Sequence, residues 1–402
     1  MSSAVFDNNM EIPTSRRKSI RTSGTYCELP SGGQAFIPAQ LPPDPPIVFD
    51  SELLKLVTEA ERALGRLDGA TNALPAVDLF VAMYVRREAA LSSQIEGTEA
   101  SLEDLLAYES EWLKDNRPSD VGDVVNYVNA MNHGLNRLKT SRLSLQLVCD
   151  IHSRLLRGTR GGQSQPGQFR QVQNWIGRPG STPATARYVP PPPDRMRALL
   201  GNLELFFHTE YSGPLLVSIG LTHAQFESIH PFLDGNGRVG RLLITFQLCA
   251  TGALKRPLLY LSHYFKRHRQ EYYDHLQAVR DQGDWEGWLK YYLEGIRSVA
   301  LEATDLAHRI TSLQSQDHRR VAESLGGSAT SALALLDSLY SRPILSVKQA
   351  AVASRLTFAN ANKLVDSLVR LGLLREITGR KRDRRFEYAD YIRLFRENEE
   401  SA

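Results

Sequence analysis

The chain has 402 residues, enough for two or three domains and at least one large core. Hydrophobic residues make up 42% and charged residues 23%, the ordinary mix of a soluble globular protein. A net charge of +3 excludes a molecule whose whole surface traps nucleic acid, so any basic surface has to be local.

Three cysteines, Cys27, Cys149 and Cys249, lie far apart and show no metal spacing, and their odd number argues against a disulfide framework and for a reducing compartment. The start, Met1 to about Arg21, is polar and lacks the apolar core of a signal peptide. Leu242 to Leu254 is interrupted by Thr245, Gln247 and Thr251 and falls short of the roughly 20 apolar residues that span a bilayer. The reading is a soluble, cytoplasmic protein without membrane contact.

Residues 1–48 are rich in Ser, Gly and Pro, and Leu41-Pro42-Pro43-Asp44-Pro45-Pro46 closes them in an extended form. The start is expected to be disordered, with the later part along the domain surface. From Ser51, Leu53, Leu54, Leu56, Val57, Ala60 and Leu64 fit a helical period, and a second helix is expected from about Ala76 to Ile95. A third starts near Ser101, where Ser101-Leu102-Glu103-Asp104 reads as an N-cap with an acidic first turn. Helices continue over Asp123–Leu138 and Leu145–Leu156. Gly158 to Pro193, with Asn174-Trp175-Ile176-Gly177, reads as a short β-hairpin or flap ending in the stiff Pro190–Pro193 run. Helices resume at Asp194–Tyr211, Leu215–Ile229, Arg238–Thr251, Lys266–Gln282 and Trp285–Gln316, and Gly326-Gly327-Ser328 reads as a linker. The boundaries that follow are a polar segment 1–48, a helical region 49–113, a core 114–300, a helical linker 301–328 and a small domain 329–402.

The densest chemistry lies at His230-Pro231-Phe232-Leu233-Asp234-Gly235-Asn236-Gly237-Arg238-Val239-Gly240-Arg241. Pro231 stops one helix, and Gly235 and Gly237 let the backbone turn tightly into the next. Such a turn is a ready anion site, because free N–H groups and the positive end of the helix dipole point the same way. Arg238 and Arg241, three apart, share a face of the first turn and suit a polyphosphate. Asp234 offers an oxygen to Mg²⁺, and His230 can take a proton near neutral pH. The parts suit phosphoryl-type transfer.

Two other readings fail on pattern. Gly235-x-Gly237-x-x-Gly240 copies a dinucleotide fingerprint, but no strand precedes it and Ala253–Leu261 holds no acid. His223, Glu227 and His230 share a helix face that could bind zinc, yet the usual H-E-x-x-H order is absent, and helix packing is the better account of His223 and Glu227.

The segment resembles the Fic motif H-P-F-x-[DE]-G-N-G-R-x-x-R at every defined position, and the resemblance extends from about Pro42 to Ser298, including Gln173–Gly177, Pro257–Ser262 and Gly283-Asp284-Trp285. It implies a mainly α fold: a Fic helical core with a β-hairpin flap, and, by a separate likeness, a C-terminal winged-helix domain. It implies ATP as substrate and Mg²⁺ as cofactor, with AMP moved to a Tyr, Thr or Ser hydroxyl of a target protein or of the chain itself. His230 would be the base and Asp234 the metal ligand. Gly235, Asn236 and Gly237 would cradle phosphates, while Arg238 and Arg241 bind the outer ones. In related Doc-type kinases a lysine replaces the second motif glycine; this chain keeps Gly237, which favours AMP transfer. Ile176 would clamp a target strand on the flap. Tyr264, Tyr272 and Tyr273 would line an adenine pocket or simply pack the core. A homodimer is a further assembly the reading allows.

Ser92-Ser93-Gln94-Ile95-Glu96-Gly97 resembles the inhibitory motif [ST]-x-x-x-E-[GN] of Fic proteins that carry a brake N-terminal to the active site. Glu96 would pair with Arg241 and deny it to the γ-phosphate, with Ser92 and Gly97 shaping the helix end. In some brake-bearing relatives the same glutamate positions water to remove AMP, so de-AMPylation is also compatible.

Toward the C-terminus, Ser346–Ala351 and Thr357–Gly372 read as two helices, followed by strands around the basic tip Gly379–Arg385. This looks like a winged helix-turn-helix. Arg380, Lys381, Arg382 and Arg384 would meet DNA phosphates and Asn360, Asn362 and Lys363 a major groove, or the unit is a protein-interaction module. A DNA-binding regulator whose Fic core senses nucleotide is the alternative to an enzyme.

Overall fold

The structure, a computed structural model, describes residues 22–72, 77–110, 120–158 and 165–400. The polar start, Ala76, residues 111–113 of the helical region and residues 159–164 of the flap region lie outside the described residues.

The segment expected to be irregular begins with a hairpin. β1 (Gly24–Glu28) pairs antiparallel with β2 (Gln34–Pro38), Tyr26 opposite Phe36. Phe36 is buried, and its N–H donates to the Val189 carbonyl at 2.9 Å. The Ser23 hydroxyl donates to the Val279 carbonyl, and the Tyr26 hydroxyl to Asp281 at 2.7 Å. The hairpin therefore holds partners more than 150 residues away, which no local pattern reveals. The expected flap hairpin is reduced to a single antiparallel bridge, Ile176 to Tyr188. Its Gly- and Pro-rich stretch holds turns rather than a ladder, and β2 rather than a second flap strand braces its base.

Amphipathic helices follow. α1 (Ser51–Asn72), α2 (Val77–Ile95) and α3 (Leu102–Glu109) appear where periodicity places them. Ser101 and Asp104 cap α3 reciprocally, each side chain accepting from the other's backbone N–H at 2.9–3.1 Å. Next come α4 (Val121–Leu138), α5 (Leu145–Leu155), α6 (Pro193–His208), α7 (Leu215–Ile229) and α8 (Asn236–Ala250). They are followed by α9 (Ser262–Arg267), α10 (Arg269–Gln282) and α11 (Trp285–Leu325).

α6 ends before the expected Tyr211, since Thr209 turns extended ahead of Gly213 and Pro214. The helix expected from Lys266 is split at His268, whose carbonyl starts α10 by accepting from the Tyr272 N–H. Nearly every residue of α7 and α8 is buried, so this pair forms the centre of the molecule. α1 runs parallel to α11, as the ion pairs Asp50 with Lys290 (2.8 Å) and Glu59 with Arg297 (3.9 Å) show.

α11 continues past the expected Gln316 to Leu325 because its last turns bury Asp317 and Val321 against the C-terminal unit. The Gly326–Ser328 linker is a single 3₁₀ turn rather than a free tether. Beyond it lie α12 (Ala329–Leu339), β3 (Ile344–Ser346), α13 (Val347–Ser354), α14 (Phe358–Arg370), β4 (Arg375–Glu376), β5 (Arg385–Glu387) and α15 (Ala389–Glu400). The three strands are antiparallel in the order β3-β5-β4. This unit docks on α11 and on the α2–α3 region. The Tyr388 hydroxyl donates to Asp317 at 2.5 Å, and Tyr84 meets Phe395 edge-on at 5.6 Å. Arg396 reaches Glu103 at 2.5 Å, and Arg385 donates to the Ser110 carbonyl at 3.1 Å.

Asp317 is 2% exposed and is the acceptor that satisfies the buried Tyr388 hydroxyl. Asp317→Ala is expected to lower stability by about 1–3 kcal/mol, the cost of stranding a buried donor. Urea denaturation followed by circular dichroism checks this, and an unchanged midpoint contradicts it.

Candidate functional site

α7 ends at His230, which takes the left-handed conformation (φ 48°, ψ 60°) ahead of Pro231. Three backbone carbonyls at that helix end, those of Ile229, His230 and Pro231, lose helical partners. Arg170 takes up all three. Its Nε donates to the His230 carbonyl at 3.0 Å and Nη2 to Ile229 at 3.4 Å, and its backbone N–H to Pro231 at 2.9 Å. The guanidinium also reaches the Pro191 carbonyl at 2.5 Å, tying the end of the flap to the same point. Burial pushes this arginine down to about 10.

The turn itself is closed from within. Asn236 accepts from the Phe232 N–H and donates to the Phe232 carbonyl, both at 2.8 Å. Its side chain, expected on phosphates, is thus spent on the loop, and only its amide faces the helix start. The Phe232 ring stacks on His152 at 3.7 Å. Gly167 N–H donates to His152 Nδ1 at 2.8 Å, so Nε2 carries the hydrogen that reaches the Asp234 carbonyl at 3.0 Å. Gly235 (φ +80°) precedes α8, and the first intrahelical bond runs from Val239 N–H to the Gly235 carbonyl. The amides of Asn236, Gly237 and Arg238 therefore stand at the positive end of a helix without intrahelical partners.

Arg241 is buried and engaged through Nε and Nη2. Its Nε donates to Ser92 Oγ at 2.8 Å, and Nη2 to the Ser92 carbonyl at 2.9 Å and to Glu96 Oε1 at 2.8 Å. Ser92 thus grips the arginine directly, beyond the expected shaping of a helix end. Gly97 (φ +94°) turns the chain out after α2. Gly237 lets Glu96 come close: a Cβ there would lie 2.2 Å from Glu96 Oε1, so that carboxylate would have to shift. Burial raises the Glu96 carboxyl, but the Arg241 charge and hydrogen bond outweigh it and hold it below its ordinary value.

A cleft of about 940 Å³ opens beside these groups, lined among others by Glu96, Ile176, His230, Gly237, Arg241 and Tyr273. Asp234, Asn236 and Arg238 do not line it. Asp234 is 45% exposed on the outer side of the turn, where Oδ1 accepts from Gly235 N–H at 2.6 Å and lies 3.5 Å from Arg238. An exposed carboxylate next to an amide-lined turn fits Mg²⁺, which binds nucleotide phosphates through few protein oxygens. Tyr272 lines the cleft but is a core residue, bonded to His223 at 2.8 Å; Tyr264 does not reach the cleft. Both nitrogens of His223 are occupied, the other by the Gly240 carbonyl at 3.0 Å, so helix packing is its role.

The family-model comparison matches residues 54–136 to the Fic/DOC family N-terminal region and residues 142–248 to the Fic/DOC family. Residues 54–136 and 142–248 thus carry the two Fic/DOC regions, just under half of the chain. The Fic/DOC fold extends beyond those segments: a Fic family protein from Desulfovibrio desulfuricans superimposes with a TM-score of 0.56 at 21% identity, covering 85% of this chain and 97% of that one. Among named relatives, the protein adenylyltransferase Fic of Culex quinquefasciatus is 30% identical over 38% of this chain and 27% of its own length. That of Drosophila virilis is 25% identical over 66% of this chain and 51% of its own length. The chain therefore spans about a quarter to a half of these relatives.

Sequence reasoning missed three residues of this site, Arg170, His152 and Arg280, and read a fourth, Glu227, only as helix packing. Arg170 and His152 brace the turn from far upstream. Arg280 lines the cleft and lies 3.7 Å from the Tyr188 ring centre. Glu227, beside Arg241, is buried with Oε1 unpartnered among the described residues. None has a local signal, because each partner lies on another element.

Burial dominates the titration. It pushes His230 down to about 3, aided by Arg280 and Arg170, and His223 to about 3. His152 and His263 fall to about 4. His230 is thus neutral at rest, rather than titrating near neutrality as expected. Burial pushes Glu88 and Glu227 up to about 7.

The depressed histidines bind protons on unfolding, so their stabilisation is complete above pH 6.5 and lost as pH falls toward 4 and 3. The raised carboxyls oppose this, stabilising fully below pH 4.5 and losing that as pH rises to about 7. Near pH 5 the histidines prevail by about two protons, so stability should fall by about 3 kcal/mol per pH unit of acidification. Urea midpoints at pH 5, 6 and 7 measure the slope, and a flat profile between pH 5 and 6 contradicts it.

Proposed function

We propose that the chain is a self-restrained protein adenylyltransferase acting in the cytoplasm. The observation that carries this reading is the meeting, in one cleft, of a neutral imidazole, a helix start with free amides and a buried arginine occupied by an internal carboxylate. A target hydroxyl oxygen attacks the α-phosphorus of ATP, the bond to the bridging oxygen of the β-phosphate breaks, and pyrophosphate leaves. The hydroxyl proton passes to the His230 imidazole, which lines the cleft. The amides of Gly237 and its neighbours and the Arg241 guanidinium would bear the phosphate charge. Mg²⁺, when bound, would be held by Asp234 and would offset charge on the phosphates.

Ile176 spends both backbone groups on Tyr188, at 2.8 and 3.1 Å. An extended target segment would therefore pair with the outward edge at Trp175 and Gly177, with the exposed Ile176 side chain clamping it. The adenylyltransferase names of the relatives support the reaction, and the retained Gly237 supports AMP over phosphate transfer.

Glu96 restrains the reaction by holding Arg241. Two charges in direct contact exclude the γ-phosphate from that guanidinium and set a carboxylate against it. Glu96→Gly is expected to raise ATP-dependent labelling of the chain or of extract proteins at least about tenfold, in line with removal of roughly 1.4 kcal/mol or more of opposition. Glu96→Gly combined with His230→Ala should show none. Equal labelling by the wild type and Glu96→Gly removes the brake, and labelling by the double variant removes the base.

A further inference from the structure

The C-terminal unit carries charge that the transfer reaction does not use. Residues 329–402 hold thirteen Lys or Arg against nine Asp or Glu, a net +4 in a chain whose total is +3. The remainder of the molecule is therefore close to neutral, and the excess of basic charge is local to this unit.

Its acids are mostly engaged internally. Asp366 is paired with Arg384 at 3.1 Å and held by Asn362 at 3.3 Å, and Glu387 is paired with Arg375. Glu376 accepts from the Thr378 and Gly379 N–H groups, both at 2.9 Å, and so shapes the turn after β4. The outward cations are Lys363 and Arg370 on α14 and Arg380, Lys381 and Arg382 at the tip between β4 and β5, all exposed. Arg384, expected on phosphates, instead locks the tip to α14 through Asp366 and the Asn362 side-chain Oδ1 (2.8 Å). Helix and tip are thus one braced face.

α14 buries Ala361, Leu364, Val365 and Leu368 and turns Phe358, Asn360 and Lys363 outward in its first two turns. Phe358 is 57% exposed, an apolar ring that no protein contact explains. Among the described residues, this unit reaches the rest of the chain through α15, Tyr388, Arg385 and the Leu371 carbonyl, which accepts from Arg320, and not through Phe358, Asn360, Lys363 or the Arg380–Arg382 tip.

We propose that this face binds double-stranded DNA, with α14 in the major groove and the Arg380–Arg382 tip on flanking phosphates. The side chains fit that role. Asn reads adenine, Lys reads guanine and an exposed Phe packs on the thymine methyl. A-form RNA has a major groove too narrow for a helix, which singles out DNA. The inference is independent of the transfer reaction.

The test uses the full chain and a fluorescein-labelled duplex of about 30 base pairs, read by anisotropy at about 50 and 200 mM salt, where phosphate contacts are strongest and then screened. Saturable micromolar binding at low salt is expected, weakening steeply with salt. Arg380→Ala, Lys381→Ala and Arg382→Ala combined should weaken binding at least tenfold and flatten the log–log salt slope by about 2.7, about 0.9 per lost phosphate contact. Phe358→Ala should weaken binding and leave the slope unchanged. All these positions are exposed, and an unchanged melting curve confirms folding. No binding at low salt, an unaffected triple variant, or equal binding to duplex RNA overturns the proposal. Capture of a protein partner through Phe358 without DNA binding overturns it as well.

Discussion

Arg241 and its grip on α2 set the terms for everything else in the cleft. A guanidinium 3% exposed on α8 reaches across to Ser92 and Glu96, at the far end of a helix that begins some 150 residues earlier. Burying such a charge without compensation costs several kcal/mol, so α8 and the end of α2 have to stay together while Arg241 stays inside. Yet Glu96 is 36% exposed, and its carboxylate opens on the cleft. Solvent screens that half of the contact, which makes it the breakable half. Ser92 holds the arginine from the core side, and Glu96 occupies it on the side that lines the cleft. Gly237 belongs to this contact too, since a side chain there would displace the Glu96 carboxylate.

The rim of the cleft is fixed by a second buried arginine that works without a carboxylate. Arg170 gathers carbonyls from the end of α7 and from Pro191, so His230 and the base of the flap cannot drift apart independently. A helix C-terminus is a favourable place for a cation, which explains how Arg170 tolerates burial. The N-terminal hairpin adds to this brace through Phe36 and Val189. The C-terminal unit in turn rests on α2–α3 and α11, so the helix that carries Ser92 is packed from that side as well.

The centre of the site was legible in the sequence because its parts are contiguous. His230 through Arg241 form one turn and one helix start, and glycine, proline and charge spacing prescribe that geometry locally. Glu96 was legible only as part of a resemblance, since its partner is 145 residues away. Arg170, His152, Arg280 and the β1–β2 hairpin were not legible, because their roles depend on carbonyls and rings supplied by distant elements. The flap was overread: turn-forming residues were taken for a hairpin, and only Ile176 and Tyr188 pair. Helix α11 was underread because its last turns are polar in sequence and become buried only through the unit that packs on them.

The most direct measurement is the fate of differently labelled ATP on the Glu96→Gly chain, followed by intact mass and radiography. The account predicts that label on the α-phosphate, and on the adenine, enters protein, while label on the γ-phosphate does not. Entry of the γ-label alone, or of neither, contradicts an active centre built to keep AMP and release pyrophosphate.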